Sequence, residues 1–286
     1  MTESPTSRPQ VGQKVRSFYE EMPFNYYDST EAAADYIRTN PVEASYPDLH
    51  ALLSTGEIKT VLEFGCGAGW LSNSLALHYG LMVTAVDFTS KALERARGVS
   101  ELLGIDDRTR FVESNLFEFQ DSPQVDLVIS LGVLHHTGDT RGAFEHIQTF
   151  AGSGAFVYVG LYHFYGRREF LRIFHELLER ESEAAAFDHY RELDGVRQGD
   201  ATHMLSWFRD QVLHPHETQH TLKEVAGWSA EDGLSIQSTS INGFQPLGEL
   251  EPLFESEKEY EARSHQANVV EKRYFPGFFV VMAQRV

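Results

Sequence analysis

The segment VLEFGCGAGWL, residues 61–71, restricts the fold of this chain more than any other stretch. Its apolar run leads straight into Gly65, Gly67 and Gly69 and then into text of helical period. A chain that turns this sharply from strand to helix needs residues free to take positive φ, and a ligand can then approach the backbone without meeting side chains. The flanking text repeats the unit. Apolar stretches of strand length at residues 60–64, 82–87, 110–113, 125–131 and 155–162 alternate with helical patterns at 70–79, 90–103 and 140–150. In the second of these helices Leu93, Ala96, Val99 (or Ser100) and Leu103 form one apolar stripe. Nearly continuous apolar strands joined through helices predict a doubly wound α/β domain, its parallel sheet covered on both faces by right-handed crossovers. Strand-like text returns at 234–241 and 277–284, which brings the expected sheet to seven strands, mostly parallel.

The flanks divide the rest. Residues 1–12 are polar, with two prolines and no periodicity, and are expected to be a disordered lead. Residues 13–53 read as a helical segment interrupted by Pro23, Pro41 and Pro47, with Phe18, Tyr19, Phe24, Tyr26 and Tyr27 either folding over a bound ligand or packing on the core. The α/β core is placed at 54–162 and an inserted helical cap at 163–233. The cap should open with one long helix at 166–186, whose apolar face is Phe170, Phe174, Leu177 and Leu178 and whose solvated face is Glu176, Glu179, Arg180 and Glu183. A glycine-containing loop, a helix at 203–213 ending at Pro215, and a helix opened by a Thr221/Glu224 capping box follow. Residues 234–286 supply the last strands, with an acidic stretch at 249–263 between them.

Composition removes several classes of function. One cysteine, Cys66, excludes an intrachain disulfide, a Cys-based zinc cluster and an iron–sulfur centre. A formal net charge of −18 repels phosphate backbones, so a nucleic-acid partner is not expected. No apolar run reaches membrane-spanning length, and the expected location is the cytoplasm.

Asp87 ends the second strand, where a carboxylate can accept both hydroxyl protons of a ribose, so the ligand should be a nucleoside. A nicotinamide dinucleotide is the first competitor. Its G-x-G-x-x-G fingerprint is not met, because the third glycine comes one position early, and the carboxylate of Glu63 would repel a diphosphate while suiting an ammonium or a sulfonium.

The segments EFGCGAG, Asp87, ESNLFEF (residues 113–119) and DLVISLGVLHHTGD (residues 126–139) resemble the successive motifs of class I S-adenosylmethionine-dependent methyltransferases, in the branch acting on small molecules. The likeness covers residues 60–162. It implies a Rossmann-like fold with S-adenosylmethionine as methyl donor. Gly65, Cys66, Gly67 and Gly69 would wrap the methionine part beside Glu63, and Asp87 would hold the ribose. Phe88 would lie on the adenine, with Asn115 and Leu116 at its edge and Leu131 and Gly132 on the methionine side. The family often carries Asp where Asn115 stands; an amide oxygen can still accept from the adenine amino group, so altered affinity is expected. Cys66 reads either as a small residue fitted beside the donor or as a thiol whose pKa a helix N-terminus lowers.

Methyl transfer from a sulfonium is an in-line displacement that needs positioning, no covalent enzyme nucleophile, and a base only where the acceptor is protonated. His135 and His136 after the fourth strand, and Tyr162 and His163 after the fifth, stand at the carboxyl ends of strands where an acceptor should lie. Each is a candidate base, or a residue that shapes the pocket. A second cluster, Asp210, His214, His216, Glu217 and His220, allows a metal site, an acceptor-contacting lid, or two ordinary helix ends. No metal ligand set is assigned. The expected partner is a small-molecule acceptor taking the methyl group at O, N, S or C; the competing reading is a non-catalytic protein that binds the donor for regulation.

Overall fold

In the computed structural model, residues 8–121 and 123–286 are described. Seven strands form one sheet: β1 (Thr60–Phe64), β2 (Met82–Asp87), β3 (Thr109–Glu113), β4 (Val125–Leu131), β5 (Ala151–Tyr162), β6 (Leu234–Thr239) and β7 (Phe278–Arg285). Their order is β3-β2-β1-β4-β5-β7-β6. The pairs from β3 through β5 are parallel, and β7 inserts antiparallel between β5 and β6. The fold is the Rossmann-like α/β arrangement expected, and the reversal of β7 sets Phe278 directly against Tyr162.

Alternation along each strand builds two cores. Leu62, Phe64 and Val128 face α6 (Thr140–Gln148), while Val61, Leu127 and Ile129 face a layer holding α3 (Pro47–Ser54), α4 (Trp70–Tyr79) and α5 (Ser90–Leu103). Leu62, Leu127 and Val128 are fully buried, and such side chains each contribute about 1.5–3 kcal/mol through loss of contact with water.

Three differences from the sequence expectation bear on the architecture. Residues 8–12 are not a structureless lead: α1 (Arg8–Glu21) includes them, because Pro9 is tolerated in a first turn and Val11 and Val15, four apart, both bury. Residues 1–7 lie outside the described residues. The single helix at 166–186 is two, α7 (Phe164–Arg180) and α8 (Glu183–Leu193), since the Ser182 hydroxyl accepts from the Ala185 N–H and starts a new helix. These two and α9 (Ala201–Val212) enclose a separate core of Phe170, Phe174, Tyr190, Met204 and Phe208. The next helix, α10 (Leu222–Glu231), opens with the Thr221/Glu224 capping box but does not join that core. Its Leu222 and Val225 pack with Phe144 on the sheet, so residues 163–233 divide between two cores.

The N-terminal segment and the acidic stretch complete the molecule. From α2 (Thr30–Thr39), Ala34 and Ile37 pack with Val99 of α5. The acidic stretch folds into α11 (Glu251–Ser256) and α12 (Tyr260–His265), and α12 lies along α7. Among the described residues no helix is long and apolar enough to cross a membrane.

Candidate active site

The loop between β1 and α4 is shaped by three glycines with φ of +75°, +52° and +79° at Gly65, Gly67 and Gly69. Two of them are required by packing as well as by φ. A Cβ on Gly65 would come within 2.2 Å of the Val133 side chain, and one on Gly69 within 2.6 Å of Ala96. Gly67 is different: the nearest atom to its Cβ position is the Phe24 carbonyl at 3.9 Å, which leaves backbone open toward the loop that follows α1. Asp87 faces this loop and accepts N–H bonds from Gly67 at 2.9 Å and Thr89 at 2.8 Å. Glu63 is buried beneath it and accepts a hydrogen bond from the Ser72 hydroxyl. Burial, only partly offset by that bond, raises the Glu63 carboxyl to about 7.

The remaining donor-side candidates surround the loop unevenly. Phe88 follows Asp87 and meets Tyr19 of α1 edge-on, with ring centroids 6.5 Å apart. Asn115 is exposed, its amide oxygen accepting from the Phe117 N–H at 3.0 Å, and Leu116 and Leu131 are half-buried. The Cys66 thiol is pushed well up by burial, with Asp87 and Glu63 adding to the shift. The activated-thiol reading of Cys66 is therefore corrected: desolvation outweighs any help from the nearby helix end.

At the ends of β4 and β5 a second group of side chains converges. His135 is fully buried, its Nδ1 accepting from the Tyr162 N–H at 3.2 Å and its ring lying 4.0 Å from that of Tyr162. His136, also buried, holds the His216 carbonyl through Nδ1 at 2.9 Å. Its ring lies 3.6 Å from that of His214, whose Nδ1 accepts from the His216 N–H at 3.2 Å. The Nε2 atoms of His135, His136 and His214 are all buried and have no hydrogen-bond partner. Burial lowers all three imidazoles, so each is neutral around pH 7.

A charged network backs this group. The Asp210 carboxylate accepts from the Tyr19 hydroxyl at 2.5 Å, from the Gln211 amide at 2.9 Å and, at a longer 3.4 Å, from the Tyr162 hydroxyl. Burial keeps both phenols protonated, far above their usual range, so Tyr162 as a base is corrected. Arg167, fully buried, lies over the Tyr162 ring at 3.7 Å and donates to Glu217 at 2.7 Å and to the Gln211 carbonyl at 2.7 Å.

His163 stands apart from this cluster. Its Nδ1 accepts from the Gly166 N–H, capping α7, and its Nε2 meets Glu257 at 3.0 Å. With both nitrogens committed it is a structural residue, and its candidacy as a base is corrected on that ground. Within the second sequence cluster, Asp210 and His214 reach the strand ends, Glu217 neutralises Arg167, His216 bonds the Thr137 carbonyl at 3.1 Å, and His220 bonds Thr218 at 2.8 Å. Among the described residues no group of His, Cys, Asp and Glu side chains is placed to hold a metal ion.

Two participants are not marked by the sequence. Tyr19 is one of several aromatics in its stretch, and its partner Asp210 lies 191 residues away. Arg167 stands three and seven residues before Phe170 and Phe174, in register with their apolar stripe, which was the available signal of its burial.

A methyltransferase-domain family model matches residues 62–157, the stretch holding the glycine loop, Asp87 and the two histidines. Over those residues the chain is similar to the class I S-adenosylmethionine-dependent methyltransferases, as its motifs imply. It is 26% identical over 144 residues to the ubiquinone biosynthesis O-methyltransferase of Paraburkholderia xenovorans, a match covering 49% of this chain and 59% of that relative. The chain spans about half the length of the curated relatives it matches, from 47% to 59% for the first of them. In fold it is similar to PKMT2 from Rickettsia typhi in complex with AdoHcy, at TM-score 0.56 and 13% identity over 80% of this chain and 49% of that one. It is also similar to magnesium protoporphyrin IX methyltransferase from Synechocystis with bound SAH, at TM-score 0.50 and 15% identity over 100% and 90%. At these identities the structural likeness shows the fold.

Proposed function

We propose that this protein is a methyltransferase that moves a methyl group from S-adenosylmethionine to a small molecule seated at the carboxyl ends of β4 and β5. The carrying observation is Glu63, a buried carboxylate under an open glycine loop, which no lysine or arginine among the described residues neutralises. A cationic ligand fits there, and an amino-acid ammonium beside a sulfonium supplies that charge. Asp87 would take the ribose hydroxyls on carboxylate lone pairs left by its two backbone bonds, and Phe88 would cover the base. When bound, the donor supplies an electrophilic methyl on sulfur.

The chain's own residues do the rest. Tyr19 and Phe18 of α1 lie over His214, with centroids 5.4 and 5.1 Å away, and exclude water from the strand ends. His135, His136 and His214 present polar atoms to the acceptor from neutral rings, a surface suited to an uncharged or weakly polar group. The net charge of −18 counts against a nucleic-acid acceptor, and a cytoplasmic setting keeps the lone cysteine reduced.

Calorimetric titration with S-adenosylhomocysteine, alongside NADH as the competing nucleotide, tests the donor. Incubation with methyl-labelled donor and a cytoplasmic metabolite extract tests transfer. Saturable S-adenosylhomocysteine binding and a new labelled small molecule are expected. Binding of NADH alone would overturn the donor, and donor binding without transfer to any metabolite would favour a regulatory protein.

A further inference from the structure

Three buried imidazole nitrogens without partners, Nε2 of His135, His136 and His214, sit on rings that touch one another. Their chemistry differs, and the backbone decides how. A peptide N–H can only donate, so the nitrogens it bonds, Nδ1 of His135 and Nδ1 of His214, carry lone pairs. In a neutral ring the hydrogen must then reside on Nε2. A peptide carbonyl can only accept, so Nδ1 of His136 carries the hydrogen and its Nε2 is a bare lone pair. The cluster therefore offers two N–H donors and one acceptor, and the acceptor is on the middle ring.

Building on the methyl-transfer reading above, we propose that His136 Nε2 takes the proton from a hydroxyl acceptor, of phenol type, that the ring N–H groups of His135 and His214 help to orient. A hydroxyl is the functional group that donates one hydrogen bond while accepting others, which matches one lone pair beside two donors. An ammonium acceptor would need a free anion, but Asp210 is taken by Tyr19, Tyr162 and Gln211, and Glu217 by Arg167. A carboxylate acceptor would need a free cation, and Arg167 is committed to Glu217 and Gln211. Phe18 stands edge-on to His214 at 5.1 Å, Tyr162 edge-on to His136 at 5.5 Å, and Tyr19 lies tilted 5.4 Å from His214, aromatic surroundings that suit a flat aromatic body.

The step balances. The O–H bond breaks, its proton goes to His136 Nε2, the oxygen lone pair forms the new C–O bond, and the C–S electron pair returns to sulfur, leaving a neutral thioether. The resulting imidazolium keeps its Nδ1–H on the His216 carbonyl. Around it, Asp210 from α9 and Glu217 favour the positive charge, while Arg167 from α7 opposes it and burial is the largest opposing influence. His135, His214, Tyr19 and Tyr162 remain neutral neighbours.

Two measurements decide the matter. Long-range 15N–1H spectra of histidine-labelled protein, free and saturated with S-adenosylhomocysteine, should show His136 protonated on Nδ1 and bare on Nε2, the assignment being made by loss of its signals in His136→Gln. The opposite tautomer overturns the proposal whether or not any acceptor is found. Failure of S-adenosylhomocysteine to bind would instead sink the methyl-transfer reading, with the free-protein spectrum still reporting on His136. Labelled donor with phenol, 4-nitrophenol, aniline and thiophenol supplies the second readout. Transfer to the phenols is expected, and His136→Gln should cut transfer to phenol by about 100-fold or more. It should cut transfer to 4-nitrophenol, already ionised at mildly alkaline pH, by much less. Equal losses on both phenols, or transfer confined to aniline or thiophenol, would overturn the proposal; a protein that methylates none of the four is judged on the tautomer.

Discussion

The loop around Gly65 and the cluster around His136 are made of different material. The loop is one continuous stretch, its geometry fixed by backbone φ and by two positions where only hydrogen fits. The cluster gathers Tyr19, His136, Tyr162, Arg167, Asp210 and His214 from α1, the ends of β4 and β5, α7, α9 and the strap after α9, and its geometry is fixed by side-chain hydrogen bonds. The loop is constrained mainly by its own backbone, with Val133 and Ala96 as its outside contacts; the cluster depends on segments far apart in the chain.

The sharpest way to break that contrast is to remove the charge that supports the cluster. Glu217→Leu leaves the fully buried Arg167 guanidinium without its carboxylate, and a loss of about 3–5 kcal/mol is expected in denaturant unfolding. Restoring most of it with Arg167→Met in the same chain would confirm the pair as the cause; equal instability of the double variant would refute it. On the donor side Gly65→Ala combines a left-handed φ, costing about 1–2 kcal/mol, with a contact at 2.2 Å from Val133 that a flexible group cannot relieve. Trimming Val133 to Ala in the same chain should recover part of the stability but not the φ strain. If Gly67→Ala proves as destabilising as Gly65→Ala, the packing argument for the loop is wrong.

Smaller changes sharpen the comparison further. Tyr19→Phe deletes a hydrogen bond to an ionised carboxylate, a loss of about 1.5–3 kcal/mol, and should loosen α1 as read by amide exchange while leaving the loop protected. The smallest effect is a pH dependence of donor binding. With its carboxyl raised from 4.5 to about 7, Glu63 is protonated in the ligand-free fold below that pH, whereas a cationic ligand requires it ionised. S-adenosylmethionine affinity should therefore fall about tenfold per pH unit below 7, equivalent to about 1.4 kcal/mol, and level off above it. The ligand-free fold runs the other way: the folded state holds the extra proton, so stability present at low pH is lost as pH rises through about 7. Glu63→Gln should flatten both curves, and an unchanged affinity profile in that variant would remove Glu63 from the donor site.

How far each half could be read from sequence follows from the same contrast. The bounds of β1, α4, β2 and α5 coincide with those expected, because strand period, glycine turn and helix stripe are all local signals. Asp87 was legible for the same reason: it ends a strand. The partition of the histidines was not. His163 differs from His136 only in what its two nitrogens meet, Gly166 and Glu257 in one case and a strap carbonyl in the other, and no spacing encodes that. The break at Ser182 lies beyond the apolar stripe, which ends at Leu178, and is made by the Ser182 hydroxyl capping α8. Position in the chain places helix α10 with the cap, whereas Leu222 and Val225 commit it to the sheet.

The position of α1 has a kinetic consequence. Its Tyr19 touches Phe88 on one side and Asp210 on the other, and exposed ion pairs pin the same helix, Glu21 to Arg209 at 2.8 Å and Arg16 to Glu113 at 3.1 Å. With donor and acceptor seated as proposed, α1 lies between Phe88 and Asp210 and would have to lift to release either, which we state as a prediction. Turnover should then be slower than the first round of chemistry, giving a burst of one product per protein molecule. Added salt, which weakens exposed ion pairs, should raise the steady rate without enlarging the burst.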